Sequence, residues 1–453
     1  MSAAYRSWGR TTPGGGRAVC LTDRRAPLPD MPGTSFLPYG NGRSYGDSCL
    51  NSDGVLLDCR GLDRVIAFDR SSGVLRCEAG MLLGDIARLV MPRGWFLPVT
   101  PGTRFVTLGG AIANDVHGKN HHREGSFGRH VRCLELLRSD GTRRVCSPGQ
   151  NTGWFRATVA GAGLTGVITW AEIQLRSIST ARIDQETIRF RGLDEFFALS
   201  RESSRDWEYT VAWVDSVASG GDFGRGLFMR GNHAPGPGPI DVPARRPRLS
   251  VPFQPPVSLL NRTTLGLFNA ACYRRHRRRT RAAASFGAFF WPLDGVAHWN
   301  RLYGPRGLVQ HQSVLPYDTA ADAVPALLAR AARAGHASFL TVLKEFGAAR
   351  SPGLLSFPRP GYTLALDFPC KGPQTFALLA ELDTITRDAG GSVSLYKDGR
   401  MSAEDFQAFY PNWLELWSFR DPCFTSDFWR RVSASSGDGG FGRDGSRPLL
   451  RAS

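Results

Sequence analysis

The stretch PGTRFVTLGGAIANDVHGKNHH, Pro101 to His122, carries the features on which the reading of the fold turns. Thr107-Leu-Gly-Gly-Ala111 puts adjacent glycines in a loop, where backbone N–H groups can crowd together and meet an anion. Just beyond, DVHGKNHH (Asp115–His122) gathers three histidines, an aspartate and a lysine. A zinc site would need ligands converging on one point, with further Cys or His at matching spacing. The nine cysteines are scattered singly and form no C-x-x-C pair, which argues against both a zinc cassette and a disulfide framework. Metal centre, catalytic centre and shaping loop all remain open at this point.

Two more glycine loops flank this one. GNGRSYGD (40–47) follows the apolar SFLPY, with Arg43 and Ser44 as donors suited to phosphate oxygens. Its third glycine is misplaced for a dinucleotide-binding Rossmann fingerprint and no helix is expected after it; no Walker A sequence occurs either. The third loop is GAGLTG (161–166). Three such loops imply a long, multiply charged ligand, and a dinucleotide fits better than a single phosphate.

At 453 residues the chain can build two cores. It has no apolar run of about 18 residues, so no transmembrane helix is expected. The start MSAAYRSWGR lacks the basic and apolar segments of a secretory signal, so a cytoplasmic location is expected. The net charge of +16 fits either a general preference for arginine or attraction to an anionic surface: lipid headgroups, a phosphorylated substrate or nucleic acid. The run RRHRRRTR (274–281) follows a Pro/Gly-rich stretch and reads as part of a solvated, partly disordered insert. Of 56 basic residues only four are lysine, at 119, 344, 371 and 397. Where arginine does most of the surface work, a retained lysine suggests a compact ammonium whose charge can be tuned.

Strands are predicted over 55–58, 64–68 and 74–78. A helix follows with Leu82, Ile86, Leu89 and Val90 at helical spacing, then a hairpin from Cys133 to Cys146 and a strand after the third glycine loop. Composition shifts near residue 180. Beyond 305 the chain repeats itself. VQHQSVL leads through a helix to SFLTVLK, ending on Lys344, and TLALDF leads through a helix to SVSLYK, ending on Lys397. Two such β-α-β units form an antiparallel sheet with helices on one face, leaving the other face free to cover something. The tail 433–453 is of low complexity and reads as disordered.

The order GNGRSYGD, PGTRFVTLGGAIANDVHGKNHHREGSFGRHV, GAGLTGVI resembles the flavin-binding half of the vanillyl-alcohol oxidase/p-cresol methylhydroxylase superfamily. Within it the chain is most similar to the decaprenylphosphoryl-β-D-ribose 2'-oxidases. The likeness runs on through VAWVDS, WPLDGVAHWNRLYGPRGLVQHQ, SFLTVLKEFG, FPRPGYTLALDFP, YKDGR and DPCFTSDFWRR. It implies an α+β fold: an FAD domain of residues 1–180 completed by 392–453, and a cap domain of 181–391 with a mobile insert at about 222–285. It implies that Gly40, Asn41, Gly42, Arg43, Ser44, Tyr45 and Gly46 grip the FAD pyrophosphate. Gly102, Thr107, Leu108, Gly109, Gly110, Asn114, His117, Gly118 and Ile168 would complete the cofactor site. Many relatives carry a flavin-linking histidine where this chain has Arg43, so the FAD is expected to be non-covalent. Lys397, His117 and Tyr45 are the candidates for catalysis, and Lys344, Gln312, Trp213 and Asp367 for substrate binding. His121 and His122 fall to the structural shell, and no metal is expected.

The expected reaction is oxidation of a secondary alcohol on a sugar, the 2-hydroxyl of a polyprenyl-phosphate pentose, by hydride transfer to flavin N5. The expected partners are a short-chain dehydrogenase/reductase acting on the keto product and an anionic membrane surface, with the protein peripheral on the inner membrane face. Three alternatives stand beside this: an alditol or aldonolactone oxidase, a basic nucleic-acid-binding protein, and a metal hydrolase. Nucleic acid is not expected as a partner.

Overall fold

The computed structural model describes residues 5–242, 244, 247 and 249–433. Three short strands, β1 (Arg17–Cys20), β2 (Phe36–Tyr39) and β3 (Val55–Asp58), form a parallel sheet with β3 in the centre. The run VLLD of β3 is buried throughout, as a strand covered on both faces must be. Next to it lies an antiparallel sheet of β4 (Val65–Asp69), β5 (Val74–Glu78), β6 (Val131–Leu137), β7 (Arg143–Cys146) and β8 (Val167–Gln174), in the order β4-β5-β8-β6-β7. Helix α1 (Leu83–Val90) and the short α2 (Leu108–Ala113) pack into its core, where Leu83, Ile86, Val90 and Leu108 are fully buried.

The second half is built on one eight-stranded antiparallel sheet. Its first four strands are β9 (Arg182–Phe190), β10 (Tyr209–Val214), β11 (Gly226–His233) and β12 (Arg279–Ser285), with α3 (Leu193–Asp206) and α4 (Arg262–Arg275) between them. The others are β13 (Leu308–Leu315), β14 (Thr341–Phe346), β15 (Gly361–Pro369) and β16 (Ser392–Val393), with α5 (Ala320–Arg333) and α6 (Pro373–Asp388). The order is β12-β9-β11-β10-β14-β15-β13-β16. Each half is therefore a split β-α-β-β-α-β unit, and the two meet where Ala212 and Trp213 face Leu343 and Val342.

The predicted repeat is thus the second of two such units. The first is masked in sequence by the proline-rich segment after β11. The stretch 222–285, expected as a loop-like insert, carries β11, α4 and β12, and the arginine run closes α4 and opens β12. SVSLYK forms a strand only at Ser392–Val393, because a turn at 395–397 takes over; Lys397 lies on that turn. The chain then returns to the first half through α7 (Ala403–Phe409), α8 (Trp413–Trp417) and α9 (Asp427–Ser433). The Phe36 N–H donates to Cys423 O at 2.7 Å, and Arg431 pairs with Asp47 at 2.8 Å. The tail expected from 433 lies outside the described residues apart from Ser433, which ends α9. Among the described residues no helix is long and apolar enough to cross a membrane.

Candidate active site

Between the two halves lies a cavity of about 560 Å³. Its floor comes from the three glycine loops and its roof from the sheet face opposite α5 and α6. Residues facing each other across antiparallel strands share a face. The pairs Gln310–Asp367, Gln312–Ala365, Val342–Ala365 and Lys344–Thr363 therefore put all these side chains on the cavity side. Leu343, Leu364 and Leu366, the alternate positions, are fully buried under the helices.

The first glycine loop leaves β2 directly. Gly42 has φ +57°, and a Cβ there would come within 2.2 Å of the Tyr39 hydroxyl, so only glycine fits. Asn41, Gly42, Arg43 and Ser44 line the cavity, and their backbone N–H groups donate to no acceptor among the described residues. Arg43 lies 4.4 Å from the Trp8 ring and 5.4 Å from Phe105, with its Nε buried and unpartnered and its pKa lowered by burial. This is a cradle for an anion.

The second loop differs from its expected form. Thr107 caps α2, its Oγ1 accepting from Gly110 N at 3.2 Å, while Leu108 N and Gly109 N donate to Met81 O and Ala79 O. Those donors are taken, so this loop shapes the cavity without offering N–H groups from Leu108 to Gly110. Leu108 points into the core, and neither it nor Gly46 or Gly118 lines the cavity; Gly102, Thr107, Gly109, Gly110, Asn114, His117 and Ile168 do. Strained backbone gathers here, with φ of +42° at Asp115, +59° at Ala160 and +52° at Ala162.

DVHGKNHH disperses its side chains. Asp115 accepts from Gly128 N at 2.7 Å and from the Ser356 hydroxyl at 2.5 Å. His121 packs 4.4 Å from the Phe346 ring, and His122 Nε2 lies 2.9 Å from Trp207 O. Among the described residues no group of His, Cys, Asp or Glu could hold a metal ion.

His117 faces the cavity and is gripped at both nitrogens. Lys344 Nζ is 2.9 Å from Nδ1, and Gln312 Nε2 is 3.2 Å from Nε2. Burial and the nearby lysines hold the imidazole well below its ordinary range, so it is neutral with a single N–H. Two proton arrangements satisfy these contacts. A charged Lys344 donates to Nδ1, the tautomer is Nε2–H, and the Gln312 amide turns its oxygen to accept. Alternatively a neutral Lys344 accepts from Nδ1–H and the Gln312 amide donates to Nε2. Burial, reinforced by Lys119 and Lys397, pushes Lys344 down to about 7, which brings the two arrangements close in energy.

Opposite, Lys397 Nζ sits 4.2 Å over the Tyr45 ring. Burial lowers it to about 8 against the attraction of Asp367. Tyr45 N donates to Tyr396 O at 3.1 Å, which ties the lysine-bearing turn to the first glycine loop. The Tyr45 phenol is held well above its ordinary range by burial and stays protonated. Asp367 was expected over the ligand. It shares the cavity-side face of the sheet but is wholly buried beside Gln310, which donates to it, and does not line the cavity; burial pushes it up to about 7. Trp213 shares the cavity face of the sheet but stands one strand too far out to line the cavity.

Two residues were missed. Gln310 lines the wall two positions before Gln312, as strand alternation in QHQ would have indicated. Lys119, pushed down to about 7 by burial, donates to Phe289 O beside the site; its rarity as a lysine was the signal.

A family model described as an FAD binding domain matches residues 30–147. The chain is 35% identical over 449 residues to the decaprenylphosphoryl-β-D-ribose oxidase of Mycolicibacterium smegmatis, covering 94% of this chain and 96% of that protein. The chain belongs to the decaprenylphosphoryl-β-D-ribose oxidase family. It is an FAD-dependent oxidoreductase acting on a CH–OH group. An uncharacterised protein of Streptomyces coelicolor is 38% identical over 373 residues, 77% of this chain and 99% of that one. A probable mitochondrial D-2-hydroxyglutarate dehydrogenase of Oryza sativa is 26% identical over 168 residues, 36% of this chain and 29% of its own. The residues present fit FAD: the unpartnered N–H groups of Asn41–Ser44 and the unpaired Arg43 suit a pyrophosphate, and the cavity runs from them to His117 and Lys397.

Proposed function

We propose that the enzyme oxidises the 2'-hydroxyl of a polyprenylphosphoryl pentose, with non-covalent FAD as acceptor. The observation that carries the reading is the Lys344–His117–Gln312 chain on one cavity wall, facing Lys397 on the other. The relative named for decaprenylphosphoryl ribose supports the substrate class. Bound at the Asn41–Ser44 cradle, FAD would supply the two-electron chemistry, taking the hydride of the carbinol carbon. The protein's own residues handle the proton. The substrate hydroxyl, bound in place of the Gln312 amide, gives its proton to His117 Nε2, while the Nδ1 proton passes to neutral Lys344. Lys397, still charged at neutral pH, stabilises the negative charge that gathers in the site.

Non-covalent binding is supported by the first glycine loop and by the cavity's thiols. Arg43 stands in the first loop, and the Cys49 and Cys59 thiols that line the cavity are pushed up to about 12 by burial, which leaves them unreactive. A short-chain dehydrogenase/reductase would take the keto product, and the lipid-borne substrate places the enzyme peripherally at a membrane. The test is Lys397→Ala assayed on a short-chain polyprenylphosphoryl ribose. Turnover should vanish with the yellow, acid-extractable flavin still bound. Undiminished turnover would remove Lys397 from the mechanism. Efficient oxidation of a soluble alditol by the wild type, with none of the lipid-linked sugar, would replace the substrate.

A further inference from the structure

Large apolar side chains stand exposed chiefly in one stretch. Leu249, Phe253, Val257, Leu259, Leu267 and Phe268 are between 49% and 73% exposed, and among the other described residues of this kind none exceeds 46%. Apolar residues scattered singly over a surface need no explanation, but a concentration does. Helix α4 shows how it arises. Leu265, Asn269 and Tyr273 face inward, while Leu267, Phe268, Ala271, Arg274 and Arg275 face out at helical spacing. The outer face is apolar at Leu267 and Phe268 and cationic at its end. Arg274, Arg275, Arg277 and Arg278 are exposed and pair with no carboxylate among the described residues, whereas Arg279 and Arg281 are paired with Glu186 and Asp184.

This surface adjoins the cavity. Leu260 turns inward to pack with Tyr45, Trp299, Tyr303 and Phe339. The Phe268 ring lies 5.9 Å from that of Phe339, and Leu340 and Trp299 line the cavity itself. Exposed apolar groups beside arginines that no carboxylate compensates make a mixed apolar and cationic surface of the kind an anionic leaflet attracts. A nucleic acid would use the arginines but leave the aliphatic groups in water.

We propose that residues 249–278 form the face that docks on an anionic lipid bilayer and holds the cavity mouth against it. The proposal rests on the lipid-linked substrate reading for its purpose. This segment, α4 above all, would sink its apolar side chains among the acyl chains and set its arginines on headgroup phosphates, so a substrate's tail need not cross water.

The full-length, FAD-loaded protein is sedimented with vesicles of mixed phosphatidylglycerol and phosphatidylcholine, and with phosphatidylcholine alone. Binding is expected to the mixed vesicles only. The double variant Leu267→Ser/Phe268→Ser should weaken it by about tenfold or more, and Arg274→Ser/Arg275→Ser by a similar factor with a shallower salt dependence. Flavin absorbance should be unchanged in both, which guards against unfolding. Absence of wild-type binding, or variants that bind as well as wild type, would overturn the proposal. So would retention on duplex DNA without retention on vesicles, which would make this a nucleic-acid surface. Vesicle binding by a protein that turns over no sugar lipid would leave the docking face standing and overturn the substrate.

Discussion

Lys344 and His117, 2.9 Å apart, are joined by a hydrogen bond whose direction follows the charge on Lys344. Lys344 has its pKa lowered to about 7, so it is neutral above that value and able to receive the Nδ1 proton. The rate of flavin reduction by substrate should therefore fall as pH drops through about 7, read as the bleaching rate in a stopped-flow pH series. Lys344→Met should remove that limb and lower the rate by about 10²–10⁴-fold; an unchanged limb would assign it to another group. At this scale the sequence was most legible through rarity. Three of the four lysines, Lys119, Lys344 and Lys397, are the depressed ones around the site, and Lys371 is exposed. The roles of Asp367 and Trp213 were not legible, because strand alternation says which face a side chain takes but not how far along the sheet the cavity reaches.

The turn bearing Lys397 is held at one contact that tolerates no side chain. A Cβ on Gly46 would lie 1.5 Å from Asp398 O. Gly46→Ala should push that turn away and lower kcat much as loss of the lysine does, with the flavin spectrum reporting whether binding survives. On the other side of the sheet, Leu364 is fully buried among residues of α3, α5 and α6. Leu364→Ala should cost about 2–5 kcal/mol, read from the urea midpoint. The second β-α-β-β-α-β unit was visible because its strands and helices follow one another with short connections. The first was not, because a proline-rich segment separates β11 from α4 and period alone cannot bridge it. In the second glycine loop the expected free donors were not found for a related reason: glycine marks close approach, and here Gly109 packs on Ala79 and gives its N–H to the Ala79 carbonyl.

Across the whole molecule, the cavity is closed by chain segments remote in sequence: the glycine loops, the β13–β15 face and the turn after β16. Bound FAD touches only the folded arrangement, so it should raise the melting temperature in step with its concentration, by about 2.7 kcal/mol of stability at a hundredfold excess over Kd. A melting temperature indifferent to FAD would place the cofactor elsewhere. The eight-stranded sheet is open, and an open sheet has two rims at which a neighbouring molecule could add a strand. At one rim, Ser392–Val393 is too short to serve as a template. At the other, β12 runs for seven residues, mostly exposed, and carries Arg279 and Arg281, which reach across to Glu186 and Asp184. Long charged side chains along an exposed rim strand are an obstacle to a second chain pairing there. Arg279→Thr/Arg281→Thr should keep the fold and the flavin but make the elution volume shift with concentration; an elution volume as constant as that of the wild type would mean that this rim needs no charged guard.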